Sequence, residues 1–468
     1  MSSKIRMAPL DAGFLLAERQ ESPQHGSILL TFTPGSHPAH DHMQQLANQL
    51  RQFPVTAPRF SWIPSRDLTD RLAPAWKVLP PSDIDIDYHF RHTALPAPGG
   101  EWELALTVSR IVTQPLDLTR PLWEFHLIEG LAEGRYAVLV KMHHALMDGM
   151  TALKTIRRWL TTDSSTVGIP PIWAAEPPQP TRPKASPGRS WSPVKTLSTV
   201  RNTISSATAV GKATLSTIAA YGPHDNGLVV PYAPPESILN RPITQRRRMS
   251  TQIIDLPRVQ SISAQIGGTV NDTVALILSE ALRRYLIELD ALPDRPLVAG
   301  VLASLRDTVN PQLAENAGNM ISFIFADLAT ETSDIPERAN RIVSSTTAGK
   351  QHLLGLGADA LGYSTLALAP FIVSMATGTG HRLPMFNVGL SNVPGIRVPL
   401  YWNGARADAL HATTIIANGH ALVVTVTSWV DQLCFTVTAC PDALPHSQRL
   451  SVHIAEALDI VEDALSAS

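Results

Sequence analysis

The stretch Lys141-Met142-His143-His144-Ala145-Leu146-Met147-Asp148-Gly149 closes a β-rich run, Arg135–Met142, and leads into Met150–Leu160. In the latter, Leu153, Ile156 and Leu160 share one helical face. A strand that ends on two histidines and turns directly into a helix is a unit of an α/β fold. Neighbouring strand residues point to opposite faces, so one histidine is expected to face a cavity and the other the protein interior. The same alternation makes the pair poor ligands for one metal ion, and none is expected. Histidine is a natural general base near neutral pH, because its unperturbed pKa is ~6.5. One of the pair is read as that base and the other as an inward-facing support. Asp148 stands where a helix N-cap stands, and is read as holding the loop geometry, with Arg306 as a salt-bridge partner. Gly149 permits a tight turn or a close backbone approach.

Outward from this segment the pattern continues. Thr251–Leu256, Leu297–Leu305, Ile321–Leu328 and Phe386–Leu390 read as strands, and Asp272–Glu288 as a strongly periodic helix. Ala421–Val430 and Leu433–Ala439 are β-rich runs joined by Asp431-Gln432, which predicts a hairpin. Ser391–Gly395 reads as a strand followed by a Pro-Gly turn. Strands and helices intermix in both halves. Between the halves lie thirteen of the chain's 38 prolines, from Pro170 to Pro242. The division this suggests is 1–165, a connector 166–245, and 246–468.

The connector has its own chemistry. Val194, Leu197, Val200, Ile204, Ala207, Gly211, Leu215 and Ile218 recur at helical spacing. From Pro177 to His224 there are six bases and no acid. Such a basic amphipathic helix can lie on an anionic membrane surface, or it can pack across the two halves with its basic face in water.

Composition narrows the class. The 468 residues carry 38 Lys+Arg against 40 Asp+Glu, a formal net charge of −2, and 44% are hydrophobic. That excludes a disordered chain and argues against a nucleic-acid binder. The length suggests two domains or more. Two cysteines, Cys434 and Cys440, make neither a disulfide scaffold nor a zinc cluster, and fit a reducing compartment. Asp11 and Glu18 interrupt the apolar run after Met1–Arg6, so no export signal is expected. Ala360–Gly380 is uncharged but broken by Pro370, and reads as a buried helix rather than a membrane span.

HHxxxDG resembles the signature of the CoA-dependent acyltransferase superfamily. The rest of the chain is similar to the bacterial wax ester synthase/diacylglycerol acyltransferases. Pro121-Leu122-Trp123 matches their PLW segment, and Leu10-Asp11, Phe14-Leu15 and Glu18 resemble their opening motif. Val270-Asn271-Asp272 looks like their ND motif. Ser304-Leu305-Arg306, Gly318-Asn319 and Ser391-Asn392-Val393-Pro394-Gly395 also match family segments. The resemblance runs from about residue 7 to 462. Ile396, Val301-Leu302-Ala303 and Trp429 depart from the family pattern; none touches the histidine segment, and the departures weaken a reading of substrate choice more than one of reaction type.

The resemblance implies two chloramphenicol acetyltransferase-like domains, each a mixed sheet flanked by helices, with the active site in a channel between them. It implies transfer of a long-chain acyl group from acyl-CoA to a lipid hydroxyl. Diacylglycerol, giving triacylglycerol, is the first acceptor, and a fatty alcohol, giving wax ester, the second. Acyl-CoA is then a substrate, and no cofactor is expected. The catalytic set is His144 as general base, His143 as an inward-facing support, Asp148 and Gly149, with Asn271 as the oxyanion donor or, on its own position, a helix cap. Pro121, Leu122, Trp123, Asp272, Ser391 and Asn392 are the candidate substrate-binding residues. The expected location is cytoplasmic, at a membrane face or lipid-droplet surface. Two other readings remain open: a carrier-protein-dependent condensation enzyme, and a non-catalytic lipid-binding relative.

Overall fold

The computed structural model describes residues 4–35, 42–67, 74–175, 227–304, 321–355 and 360–467. Two six-stranded sheets organise it. In the first the order is β12-β13-β2-β7-β6-β5. These strands are β2 (His25–Thr33), β5 (Phe90–Ala94), β6 (Trp123–Glu129), β7 (Tyr136–His143), β12 (Tyr401–Trp402) and β13 (Ala405–Thr413). In the second it is β10-β9-β11-β14-β15-β8. Its strands are β8 (Arg248–Asp255), β9 (Val298–Ser304), β10 (Ile321–Asp327), β11 (Val388–Ile396), β14 (Leu422–Trp429) and β15 (Gln432–Ala439). A small third sheet joins β1 (Lys4–Arg6), β4 (Ala75–Val78) and β3 (Trp62–Pro64). Both large sheets are mixed: β5 runs parallel to β6, and β11 parallel to β9 and β14, while the remaining pairs are antiparallel.

Helices cover the sheets. They include α1 (Pro9–Ala17), α2 (Glu101–Thr113), α3 (Gly149–Trp159), α4 (Leu256–Gln265), α5 (Val270–Glu288), α6 (Ile335–Gly355), α7 (Ala360–Thr377) and α8 (Arg449–Ser466). β7 is buried along its whole length, which is why its run Tyr-Ala-Val-Leu-Val is uniformly apolar rather than alternating. α5 packs against α8, α6 and α4. Its Leu276, Leu282 and Tyr285 share one core with Val424 and Val426 of β14.

The linear division at residue 246 does not survive in space. β13 pairs with β2 over Thr413↔Ser27 to Arg406↔Thr33, so residues 401–413 complete the first sheet. Ile396, Trp429 and Cys434 of the second sheet join the first half's aromatic core, and Trp429 Nε1 donates to Ala407 O at 3.2 Å. One face of the second sheet therefore packs toward the first sheet. The ends of the connector also belong to the folded body. Trp173 is fully buried and donates to Phe53 O, and Asn240 Nδ2 donates to Phe386 O and Gly419 O. The basic helical stripe falls at 176–226 and lies outside the described residues, as do Arg306 and Gly318-Asn319.

The expected hairpin is present, with β14 and β15 in register from Leu422↔Ala439 to Trp429↔Gln432. The expected Pro-Gly turn is not. Ser391–Gly395 stays inside β11, which bulges between Val393 and Ile396. Gly395 passes so close to β14 that a Cβ there would sit 1.6 Å from Ser428 O. Proline and glycine at these positions serve a bulge and a close strand approach. No helix among the described residues is long and apolar enough to cross a membrane.

Candidate active site

The two histidines separate where the strand ends. β7 ends at His143, and His144 leaves the sheet. The backbone holds both: His143 N–H donates to Leu122 O at 3.0 Å, and His144 N–H to Gln24 O at 2.8 Å. His143 Nδ1 accepts the Ala145 N–H at 3.0 Å, so its proton resides on Nε2. That Nε2–H donates to Glu18 Oε2 at 3.2 Å. Glu18 follows the last residue of α1 and also accepts the Gln24 N–H at 2.6 Å. His143 is thus an interior residue with both nitrogens in use.

His144 is half-buried, and among the described residues its ring makes no hydrogen bond. Phe14 of α1 stacks on it, with centroids 5.4 Å apart and planes inclined by 28°. Its Nε2 points toward the open side of Gly26, where a Cβ would stand 3.4 Å from it. Burial is the main force that pulls its pKa down to about 4; His143 adds to that, and Asp148 partly opposes it. The imidazole is therefore neutral at pH 7, with a free lone pair.

His144 opens on a cleft that is open to solvent. Ile28, Met142, Met147 and Leu153 line it from the first half, Leu410 and Ala412 from β13, and Ser391, Val393, Thr425 and Thr427 from the second sheet. The wall mixes aliphatic side chains with hydroxyls from both sheets: Ser27 and Thr413 from the first, Ser391, Thr425 and Thr427 from the second. Such an apolar cleft with a few polar groups is the usual form of a small-molecule site.

The other expected residues fall into three groups. Gly149 and Ser391 line the cleft. Gly149 does so without a positive φ and with nothing within 4 Å of where a Cβ would stand, so neither a tight turn nor a close approach explains it. Asp148 is the N-cap of α3, its Oδ1 accepting the Thr151 N–H at 2.6 Å. Arg59 donates to Leu146 O at 2.7 Å, two residues before Asp148. Asp11 is pushed up to about 6, mainly by burial; Arg59 lowers it and Asp148 raises it.

The remaining expected residues are placed elsewhere. Pro121, Leu122 and Trp123 do not line the cleft. Trp123 is fully buried, donates to Phe60 O at 2.7 Å and stacks on His89 and Trp173; it is core, and Leu122 O anchors His143. Asp272 closes a capping box with Thr269 and accepts from Thr346 Oγ1 at 2.6 Å, so its carboxylate is occupied in folding. Asn271 and Asn392 hydrogen-bond to each other, outside the cleft lining. Ser391 and Val393 take the cleft face of β11, which turns Asn392 to the opposite one. Thr269, not Asn271, caps α5.

Sequence reasoning passed over Gly26, Thr425 and Thr427, and used Glu18 and Phe14 only as part of a motif. Thr425 and Thr427 had a readable signal: they alternate with Val424 and Val426 in Leu422–Trp429, so one face of that strand is not plain core.

The wax ester synthase/diacylglycerol acyltransferase catalytic domain family matches residues 7–274, and the C-terminal domain of the same family matches 317–462. A protein of Mycobacterium tuberculosis named as a diacylglycerol O-acyltransferase is 36% identical over 464 residues, 98% of this chain and all of that one. The O-acyltransferase WSD of Acinetobacter baylyi is 32% identical over 463 residues, 98% of this chain and 97% of that protein. Among solved structures, the wax ester synthase/diacylglycerol acyltransferase from Marinobacter aquaeolei VT8 superposes with a TM-score of 0.78 at 32% identity, covering 99% of this chain and 100% of that one. Likeness of this extent runs through both sheets and the histidine turn alike, and the chain belongs to the wax ester synthase/diacylglycerol acyltransferase family as an O-acyltransferase.

Proposed function

We propose that the chain transfers a long-chain acyl group from acyl-CoA to a lipid hydroxyl, diacylglycerol foremost and fatty alcohol second, with His144 as general base. One observation carries this reading: a neutral imidazole without a hydrogen-bond partner among the described residues opens on an aliphatic cleft between the two sheets. The acceptor hydroxyl has a pKa far above 7 and attacks only as its proton is removed. His144 takes that proton from the hydroxyl while the oxygen bonds to the thioester carbon. The imidazolium so formed has a low pKa and readily protonates the departing CoA thiolate. Such acid–base help is worth ~10²–10⁴ in rate. No covalent acyl-enzyme is needed, and acyl-CoA enters as substrate rather than cofactor. His143 and Asp148 hold the turn, through Glu18 and through the cap of α3.

The test is release of free thiol from a long-chain acyl-CoA with a panel of hydroxylated acceptors, read by lipid class. His144→Ala should lose most turnover while keeping the wild-type melting temperature. Near-normal turnover in that variant removes His144 from the role. For location, the reading is a cytoplasmic protein that touches a membrane or lipid-droplet surface. Its support is the basic, acid-free sequence from Pro177 to His224. Deleting 184–220 should release the protein from anionic vesicles; unchanged partitioning would clear the connector of that role.

A further inference from the structure

β14 turns one face to the cleft, and on it Thr425 and Thr427 stand two residues apart. They are 3% and 1% exposed, and among the described residues neither hydroxyl has a hydrogen-bond partner. Other hydroxyls of the same wall are satisfied: Ser27 Oγ and Thr413 Oγ1 bond to each other at 2.7 Å. A buried hydroxyl without a partner loses its hydration and gains nothing in return, so it destabilises the fold. Valine has the same shape and no such cost, and it is what β14 carries at 424 and 426. Folding alone therefore gives no reason for threonine here. Both residues line the cleft, where a polar group of a ligand can approach them.

Register separates the two. Ser27 pairs with Thr413, and a Cβ on Gly26, next to Ser27, would touch both Thr413 O and the His144 ring. The base thus stands at the Thr413 end of β13. Thr425 pairs with Thr436, whose hydroxyl meets His411 Nδ1 at 3.3 Å, two residues from Thr413. Thr427 lies a further step along β14, toward Trp429, which binds Ala407 O. Thr425 is the nearer to His144. Its partner on β11 is Ser391, which faces the same cleft.

We propose that Thr425 donates the hydrogen bond that stabilises the thioester oxygen as it becomes an oxyanion, a role that rests on the acyl-transfer reading above. The acceptor oxygen bonds to the thioester carbon as its proton passes to His144. The carbonyl π pair moves onto oxygen, where the Thr425 hydroxyl meets it. The pair then returns, the carbon–sulfur bond breaks, and the sulfur takes the proton from His144. Thr425 is used only when substrate is bound, which accounts for its empty hydrogen-bonding capacity.

The experiment measures kcat, KM and melting temperature for wild type, Thr425→Val, Thr425→Ser and Thr427→Val, with acyl-CoA and the best acceptor. Thr425→Val should lose ~10²–10³ in kcat, the usual effect of losing one oxyanion donor. Its KM should stay within roughly twofold, since the interaction forms in the transition state. Its melting temperature should equal or exceed that of wild type, because an unpaired buried hydroxyl is gone. Thr425→Ser should restore most of the turnover, and Thr427→Val should lose less than Thr425→Val. Wild-type kcat in Thr425→Val, a larger loss in Thr427→Val, or a loss that serine does not restore each overturns the assignment. A wild-type protein that releases no thiol with any acceptor defeats the acyl-CoA reading itself, and this role with it.

Discussion

Glu18 Oε2 lies 3.2 Å from His143 Nε2 and 2.6 Å from the Gln24 amide nitrogen. One carboxylate thus ties the end of α1 to the segment before β2 and to the last residue of β7. Gln24 in turn accepts the His144 N–H, so Glu18 reaches His144 through a single residue. Glu18→Ala would leave two buried donors unpaired. We expect a stability loss of ~1–3 kcal/mol. Small displacements of a reacting group are costly, and turnover should fall by roughly 10–100-fold. Glu18→Gln, which keeps an acceptor, should fall between wild type and alanine. Thermal melts and thiol release measure both.

Gly26→Ala should harm turnover more than stability. The new methyl would sit 2.9 Å from Thr413 O and 3.4 Å from His144 Nε2. The carbonyl belongs to a sheet strand and gives way little, so the methyl is pressed toward His144 Nε2. We expect a folded protein with a raised KM for the acceptor and a reduced kcat. Wild-type kinetics would show that the acceptor does not approach along this side.

Asp148 acts through the cap of α3, so its variants should sort by capping ability. Asp148→Asn keeps a capping oxygen and should melt close to wild type. Asp148→Ala should cost about 1 kcal/mol. Both should keep measurable turnover, because the proposed mechanism gives Asp148 no proton to carry. Complete loss in a stable Asp148→Asn would mean that its charge, not its cap, is required.

Stability should fall with acid over a defined window. Burial, the leading cause in each case, lowers His411 to about 4 and His420 to about 3; backbone hydrogen bonds at Phe435 and Asn418 oppose it slightly. The unfolded chain binds protons at these imidazoles below ~6.5, whereas the folded chain stays neutral until much lower pH. Their contribution is complete above pH ~6.5 and is lost as pH falls toward the folded values, at roughly 1.4 kcal/mol per pH unit for each imidazole. Denaturant melts from pH 7 to 4 should show this slope, reduced in His411→Gln. Turnover should respond differently. With His144 at about 4, kcat/KM should be flat from pH 8 down to about 5.5 and fall only below it, wherever the protein is still folded.

Much of the local structure could be read directly. The β14–β15 hairpin follows from two β-rich runs separated by Asp431-Gln432, and β7 and α3 from a change of period at the histidines. The PLW segment shows where such reading stops. Trp123 matches a motif, but burial between Phe60, His89 and Trp173 depends on three elements distant in sequence. Asn271 looked like a donor or a cap, and which of its neighbours it meets was set by Asn392, 121 residues away.

The sequence by itself determined the fold class, the family and the strand-to-helix turn that carries the histidines, because periodicity and short motifs are properties of neighbouring residues. Tertiary structure decided the rest. β13 leaves the second half to finish the first sheet, since its register with β2 joins Ser27 to Thr413 across 386 residues, a pairing that no local pattern encodes. That pairing brings Thr413 beside Gly26 and His144, and the second sheet's packing against β13 brings Thr425 to the same cleft. A threonine in a strand is ordinary; a buried threonine with no partner among the described residues, on the cleft that His144 lines, exists only once both sheets are in place.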